Sequence, residues 1–214
     1  MLSEHGYQII DNFICQESIE AINRDIELHE KIKDRYGIGH AEKTLLAVNN
    51  YVSSPEFIEK AQKFLDGDVE IKRAIVFNKT EDNNWAIGWH QDRAMTIDNQ
   101  DVKQLPAEWI NKMITICIHL DDTDEKNGCM KVMPNTHKIG LLSPSEINEY
   151  TAENPQVYCE GPAGSALVMR SHVIHGSDIG SQPSQRRVLH LELCSQFPCE
   201  MQWPYSEYKG TTST

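Results

Sequence analysis

His90 and Asp92 flank a glutamine in the run Trp89-His90-Gln91-Asp92. On a strand, residues two apart point to the same face, so one imidazole and one carboxylate can converge on a common point. A third ligand has to come from elsewhere in the chain. His175, in Ser171-His172-Val173-Ile174-His175-Gly176-Ser177, is the candidate. His172 competes for the role. The two imidazoles lie three residues apart, so on a straight strand only one of them can face the metal. His175 is favoured because it ends the strand, at the kind of rim that carries function. Two imidazoles and one carboxylate on one face leave three coordination positions open. Non-haem iron(II) oxygenases have this facial arrangement, and cosubstrate and O2 enter at the vacancies. A His-x-Asp pair also arises by chance in many chains, so the reading needs a second feature.

Arg186 supplies it. It stands eleven residues after His175 and opens the apolar run Arg186-Arg187-Val188-Leu189-His190-Leu191-Glu192-Leu193. A guanidinium inside a strand is costly unless it meets an anion. The far carboxylate of 2-oxoglutarate is such an anion, and a planar, permanently charged fork suits it. Arg187 is the competitor. If Arg186 points inward, Val188, His190 and Glu192 share its face, and Arg187, Leu189 and Leu191 face away. Hydrophobic pattern alone favours the opposite; the spacing from His175 favours Arg186.

These groups must be held by a scaffold, and the pattern shows one. Ser18 to Lys33 predicts an amphipathic helix with Ile19, Ile22, Ile26 and Leu28 as its apolar stripe. Pro55 to Leu65 predicts a second, started by Pro55 and closed by Gly67. Beyond Gly67 come short strands: Glu70 to Asn78, Trp85 to Asp92, Met113 to Asp121, Met130 to Met133, Ser165 to Arg170 and Arg186 to Leu193. Turn signals such as Asn127-Gly128, Pro134-Asn135 and Gly161-Pro162 separate them. The expected fold is mainly β with α: helices about 1–67 covering a β-sandwich or barrel about 68–200, in one domain spanning 1–214.

Composition agrees. The 214 residues are 39% hydrophobic and 24% charged, enough for a real core. A net charge of −12 repels phosphate backbones and argues against a nucleic-acid partner. Six scattered cysteines (Cys15, Cys117, Cys129, Cys159, Cys194, Cys199) form no Cys-x-x-Cys pair, which argues against thiolate-bound zinc. With no secretion-like leader and no membrane-length apolar run, the expectation is a cytoplasmic protein with free thiols and no membrane partner. The sequence carries no signal for an oligomeric state.

The residues together resemble the phytanoyl-CoA dioxygenase family of iron(II)/2-oxoglutarate oxygenases. Trp89-His90-Gln91-Asp92 is similar to that family's metal block. Asn127-Gly128-Cys129 with Val132, Pro134 and Thr136-His137-Lys138 resembles its hairpin. His175-Gly176-Ser177 followed by Arg186-Arg187 resembles its distal block, and Leu120-Asp121-Asp122 its strand end. The likeness runs from about Ile71 to Leu193. It implies a double-stranded β-helix (a jelly-roll of two sheets) with iron on His90, Asp92 and His175. It implies 2-oxoglutarate and O2 as cosubstrates, Arg186 on the far carboxylate and Ser177 assisting, and it brings Gln91 toward the cosubstrate. Asn135 stands where the family has Gly, so that turn uses asparagine's tolerance of left-handed backbone. Asp92 is retained where related halogenases carry a small residue, so hydroxylation is expected over halogenation.

Two further expectations concern the pocket. In Met113 to Asp121, Ile114, Ile116, Ile118 and Leu120 share one face and Thr115, Cys117 and His119 the other. The isoleucines are expected under the helices and the polar set toward the pocket; by pattern alone the reverse is as good. Arg93, Trp85, His190 and Glu192 are the candidate substrate-facing groups. The acidic charge and short chain favour a small, neutral or cationic substrate. A cupin-type non-oxidative metal enzyme and a non-catalytic binding module are the alternatives on the same fold.

Overall fold

A computed structural model describes residues 2–29, 37–92, 96–97, 101–102, 110 and 112–195. Two antiparallel sheets form its centre. The larger has six strands: β1 (Tyr7–Ile10), β2 (Gly37–Gly39), β3 (Val69–Lys79), β7 (Met113–His119), β10 (Ala166–Arg170) and β12 (Arg186–Ser195), in the order β1-β10-β7-β12-β3-β2. The smaller holds β4 (Ile87–His90), β8 (Met130–Val132), β9 (Val157–Tyr158) and β11 (His175–Ser177), in the order β4-β11-β8-β9. A separate short ribbon pairs β5 (Thr96–Ile97) with β6 (Asp101–Val102). Both main sheets are open, and from β3 onward the chain passes repeatedly between them, as in a jelly-roll.

The larger sheet is buried on both faces. Its outer face lies under the helices α2 (Gln16–Leu28), α4 (Leu46–Val52) and α5 (Pro55–Gln62), with the short turns α1 (Leu2–His5) and α3 (Ala41–Thr44) beside them. Ile19, Ile22 and Ile26 of α2 and Phe57 and Ala61 of α5 share one core with Ile114, Ile116, Ile118, Leu189, Leu191 and Leu193. Cys117, Leu167, Met169 and Val188 point the other way, toward Met130 and Val132 of the smaller sheet. The isoleucines of β7 therefore do lie under the helices, as expected.

Local chemistry explains the helix ends. Ser54 Oγ accepts from the Phe57 amide at 3.2 Å and Pro55 opens α5, a good first turn. The predicted run to Leu65 stops at Gln62, and Gly67 adopts φ +106° in the turn that follows. α2 starts two residues earlier than predicted and ends at Leu28, because His29 is already extended. Leu28 is 75% exposed, which corrects its place in the stripe. At about 100° per residue it lies some 200° around the helix from Ile26. A further helix, α6 (Pro144–Glu153), is not anticipated by apolar periodicity. It is closed by a capping box between Ser143 and Glu146, and Ile147 packs it onto Met133 and Ile174.

Candidate metal and cosubstrate centre

His90 ends β4 and His175 begins β11. The two residues are register partners, and their ring centroids are 4.2 Å apart. The pairing shifts between His175 and Ser177, a bulge of the kind that re-aims side chains beside functional sites. Asp92 follows β4, and its amide donates to Ser171 O at 2.9 Å. Its Oδ1 lies 3.7 Å from His90 Nε2 and 3.6 Å from His175 Nε2. One ligand atom from each of the three residues falls within 4.8 Å of the others.

The backbone sets both tautomers. His90 Nδ1 donates to Gly88 O and His175 Nδ1 to Val173 O, each at 2.8 Å. A carbonyl accepts only, so Nδ1 carries the proton and both Nε2 lone pairs turn toward Asp92. Burial pushes the His175 imidazole down to about 4, so it is neutral, the ligating form. The carboxylate is oriented as well, because Thr115 Oγ1 donates to Asp92 Oδ2 at 3.0 Å. Replacing this hydroxyl by a methyl group of similar size removes that restraint. Thr115→Val is expected to weaken divalent-metal binding ~10–100-fold with the fold intact. Equilibrium dialysis of Mn(II) beside a melting curve checks this.

Two predicted neighbours lie elsewhere. Gln91 alternates to the opposite face, where Nε2 donates to Gly140 O at 2.8 Å and His172 O at 2.7 Å while Oε1 accepts from the Leu142 amide at 2.9 Å. The expected cosubstrate contact is corrected accordingly: the Gln91 amide ties the 140–142 loop to the strand. His172 also faces away, with Nε2 donating to His137 O at 2.7 Å.

Strand register arranges the inner face of the larger sheet in rows. β12 lies between β3 and β7, and its inward residues align with Lys79–Arg186, Phe77–Val188–His119, Ile75–His190–Cys117 and Arg73–Glu192–Thr115. One end of the face is thus cationic, and Asp92 hangs over the other. Arg186 is 3% exposed, and its Nε has no hydrogen-bond partner. Burial pulls this guanidinium down to about 10. An orphaned buried donor of this kind fits an anion. Arg187, on the outer face, is engaged by Asp121 (2.8 and 2.7 Å) and Glu27 (3.2 Å).

Ser177 lies beside Arg186's register partner. Lys79 Nζ donates to Ser177 Oγ at 3.0 Å, to Asp178 O at 2.7 Å and to Gly128 O at 3.3 Å. Accepting from the ammonium leaves the Ser177 hydroxyl proton available to an incoming carboxylate. Gly128 stands at φ +78°, and a Cβ there would come within 2.9 Å of Lys79 Nζ, so the hairpin glycine makes room for the lysine. Burial, with Arg186 nearby, lowers the Lys79 ammonium to about 8. Lys79 is the main functional candidate that sequence reasoning missed. Its only signal was a charge at the end of an apolar strand, and its pairing with Arg186 is non-local.

His190 meets Cys117 Sγ through Nδ1 at 3.3 Å and Glu192 Oε1 through Nε2 at 3.4 Å, and Phe77 packs edge-on to its ring. Burial opposes a charge on this imidazole, but its contacts with Cys117 and Glu192 raise it to about 10. His119 is held by Ser165 Oγ at 2.9 Å, and burial lowers it to about 4. Trp85 lies under Lys79 Nζ, 5.6 Å from its ring. Arg93 lies outside the described residues.

A family model described as phytanoyl-CoA dioxygenase matches residues 2–188. The mouse peroxisomal phytanoyl-CoA dioxygenase is 24% identical over 213 residues, covering 81% of this chain and 60% of that enzyme. The chain thus spans about 60% of that relative's length. The ectoine dioxygenase of Nocardia farcinica is 22% identical, with 87% of this chain and 73% of that protein covered. Among solved structures, AviO1 from Streptomyces viridochromogenes superposes with a TM-score of 0.75 at 20% identity, covering 95% of each chain. EctD from S. alaskensis, solved with 2-oxoglutarate and 5-hydroxyectoine, gives 0.73 at 13% identity, with 91% and 73% covered. These likenesses establish the jelly-roll fold.

Proposed function

Because the chain belongs to the phytanoyl-CoA dioxygenase family, we propose that it is an iron(II)- and 2-oxoglutarate-dependent dioxygenase that hydroxylates a small molecule. The observation that carries this is the coexistence of three residues able to hold a metal with a buried guanidinium whose Nε has no hydrogen-bond partner, on the same inner face. A non-oxidative cupin-type enzyme needs the first but not the second. In this reading His90, Asp92 and His175 hold the iron. Iron bound there supplies O2 activation coupled to conversion of 2-oxoglutarate into succinate and CO2.

The chain's own residues do the rest. Arg186 and the Ser177 hydroxyl take the far carboxylate of 2-oxoglutarate, and the Lys79 ammonium adds charge beside them. Thr115 keeps the Asp92 carboxylate in position. The apolar walls, Phe77 and Val188 among them, exclude water from the reacting centre. Ectoine dioxygenase and L-proline trans-4-hydroxylase, both relatives by sequence, bear the names of small substrates. The net charge of −12 weighs against polyanionic acyl thioesters here. Residues 1–214 act as one catalytic domain in this reading. A reducing cytoplasm suits the five described cysteines, all of them free. Among the described residues no helix is long and apolar enough to cross a membrane.

The deciding experiment is anaerobic addition of Fe(II) and 2-oxoglutarate to the apo-protein, followed by O2. The expected results are a visible charge-transfer band and succinate in proportion to O2 consumed. Bound metal without either result overturns the oxygenase reading in favour of the cupin-type enzyme.

The lysine gives this reading a pH signature. The Lys79 ammonium loses its proton near pH 8. Below that pH it attracts the carboxylate; as pH rises through 8 the attraction is lost and 2-oxoglutarate affinity falls. The apo-fold responds with the opposite sign, because a lysine held below its ordinary 10.5 gains stability as pH climbs between the two values. The dissociation constant for 2-oxoglutarate, measured from pH 6.5 to 9.5, is expected to rise in the wild type and stay flatter in Lys79→Met.

A further inference from the structure

We propose that Glu192, braced by Arg73 and His190, is the substrate-recognising acceptor of this pocket, and that it takes a hydroxyl group of an uncharged, polyol-like small molecule. The proposal deepens the dioxygenase reading and rests on the metal centre placed at His90, Asp92 and His175.

The first support is position. Arg186 and Glu192 are six residues apart on β12. At about 3.3 Å per residue, this puts some 20 Å between the cationic end of the inner face and the Glu192 row. The Arg186 end is assigned to the far carboxylate of the cosubstrate, so Glu192 stands apart from that contact. It also lies beside the reacting centre, because ligand atoms of Asp92, His190 and Glu192 fall within 4.8 Å of one another.

The second support is an open valence. The Glu192 side chain is 8% exposed. Both of its partners, Arg73 Nη2 and His190 Nε2 (3.4 Å), meet the same oxygen, Oε1. Oε2 has no partner among the described residues. A carboxylate offers about four lone-pair sites, so Oε2 keeps the capacity to accept from a ligand. The ring of His190 is held by Cys117 and Phe77, and Arg73 sits opposite Glu192 in register, so the acceptor is fixed before any ligand arrives.

Charge selects the ligand class. Arg73 and the His190 imidazole face the Glu192 and Asp92 carboxylates, two basic groups against two acidic ones, so the cluster offers a hydrogen-bond acceptor without net negative charge. A cationic substrate would meet Arg73 and the divalent metal on Asp92. An anionic one would meet the Asp92 and Glu192 carboxylates. A hydroxyl donates to Oε2 without either repulsion.

The test uses the Mn(II)-loaded full chain with 2-oxoglutarate. Paramagnetic relaxation of ligand protons reports proximity to the metal. The uncharged probes are myo-inositol and methyl α-D-glucopyranoside, set against choline as cation and L-proline as zwitterion. The hydroxylated probes are expected to be relaxed selectively. In Glu192→Gln, whose amide replaces the Oε2 acceptor by a donor, their affinity is expected to fall about tenfold or more with the melting transition retained. Relaxation of choline or L-proline instead, of no probe, or of the polyols equally in both proteins overturns the proposal while leaving the metal centre intact. Failure of Mn(II) to bind the wild type overturns the metal-centre reading, and this proposal with it. Should Glu192→Gln fail to fold, the choice among probes in the wild type still decides.

Discussion

Asp92→Ala is expected to lower Fe(II) affinity by at least about 100-fold, more than loss of any outer-sphere contact, and to reduce succinate formation to background. Asp92 Oδ1 is the common vertex of the centre, 3.7 Å from one imidazole nitrogen and 3.6 Å from the other. Without it two imidazoles remain. Neither brings the negative charge that offsets a divalent cation, and Thr115 loses its acceptor too. Equilibrium dialysis with Fe(II) under anaerobic conditions measures the effect. The informative control is His172→Ala. This imidazole neighbours His175 in sequence but bonds to His137 O on the other face, so its loss is expected to cost stability and leave iron affinity unchanged. Iron lost equally in His172→Ala, or kept in Asp92→Ala, would move the metal to other ligands.

Particular residues show what the sequence made legible. His90 and Asp92 were readable because a strand's period of two is a local rule, and the same parity separates His175 from His172. The faces of β7 were ambiguous by pattern, since both sides of a doubly buried strand read as core. Knowing which sheet carries the helices resolved them. Arg186 and Arg187 were harder. Apolar periodicity favours Arg187 on the pocket side, yet Leu189 and Leu191 sit under the helices and the pocket-facing row is partly charged. A break of this kind in the hydrophobic pattern is what a ligand-binding face, the role proposed for this one, would require. Gln91 was misjudged by proximity to the ligands, when parity alone turns it outward. Lys79, Arg73 and the two edge strands β1 and β2 depend on register between segments far apart in sequence, which no local signal carries. α6 was legible in principle through Ser143-Pro144 and Glu146, but its apolar stripe is too thin to announce it.

Arg186→Met is expected to act in opposite directions with and without cosubstrate. In the free protein Arg186 is a 3% exposed cation whose Nε has no partner, placed opposite Lys79. An uncompensated buried charge costs stability, and a flexible apolar side chain of similar length fills the space without that cost. The apo-variant is therefore expected to be more stable than wild type, by about 1–4 kcal/mol on the scale of buried ion-to-apolar replacements. Lys79 is also relieved of a like charge, so its proton is held more firmly. Cosubstrate reverses the order. Removing one partner of a buried charge pair costs about 2–5 kcal/mol, so the 2-oxoglutarate dissociation constant is expected to rise roughly 30-fold to several thousand-fold. Ligand at about 100 times its dissociation constant stabilises a protein by about 2.7 kcal/mol, a gain open to wild type and closed to the variant at the same concentration. Melting curves of the Mn(II)-loaded proteins with and without 2-oxoglutarate should therefore cross: the variant melts higher without cosubstrate, and the wild type gains much more when it is added. A variant that melts lower without cosubstrate and binds it normally would make Arg186 a structural residue and leave the distal carboxylate to another cation, with Lys79 first in line.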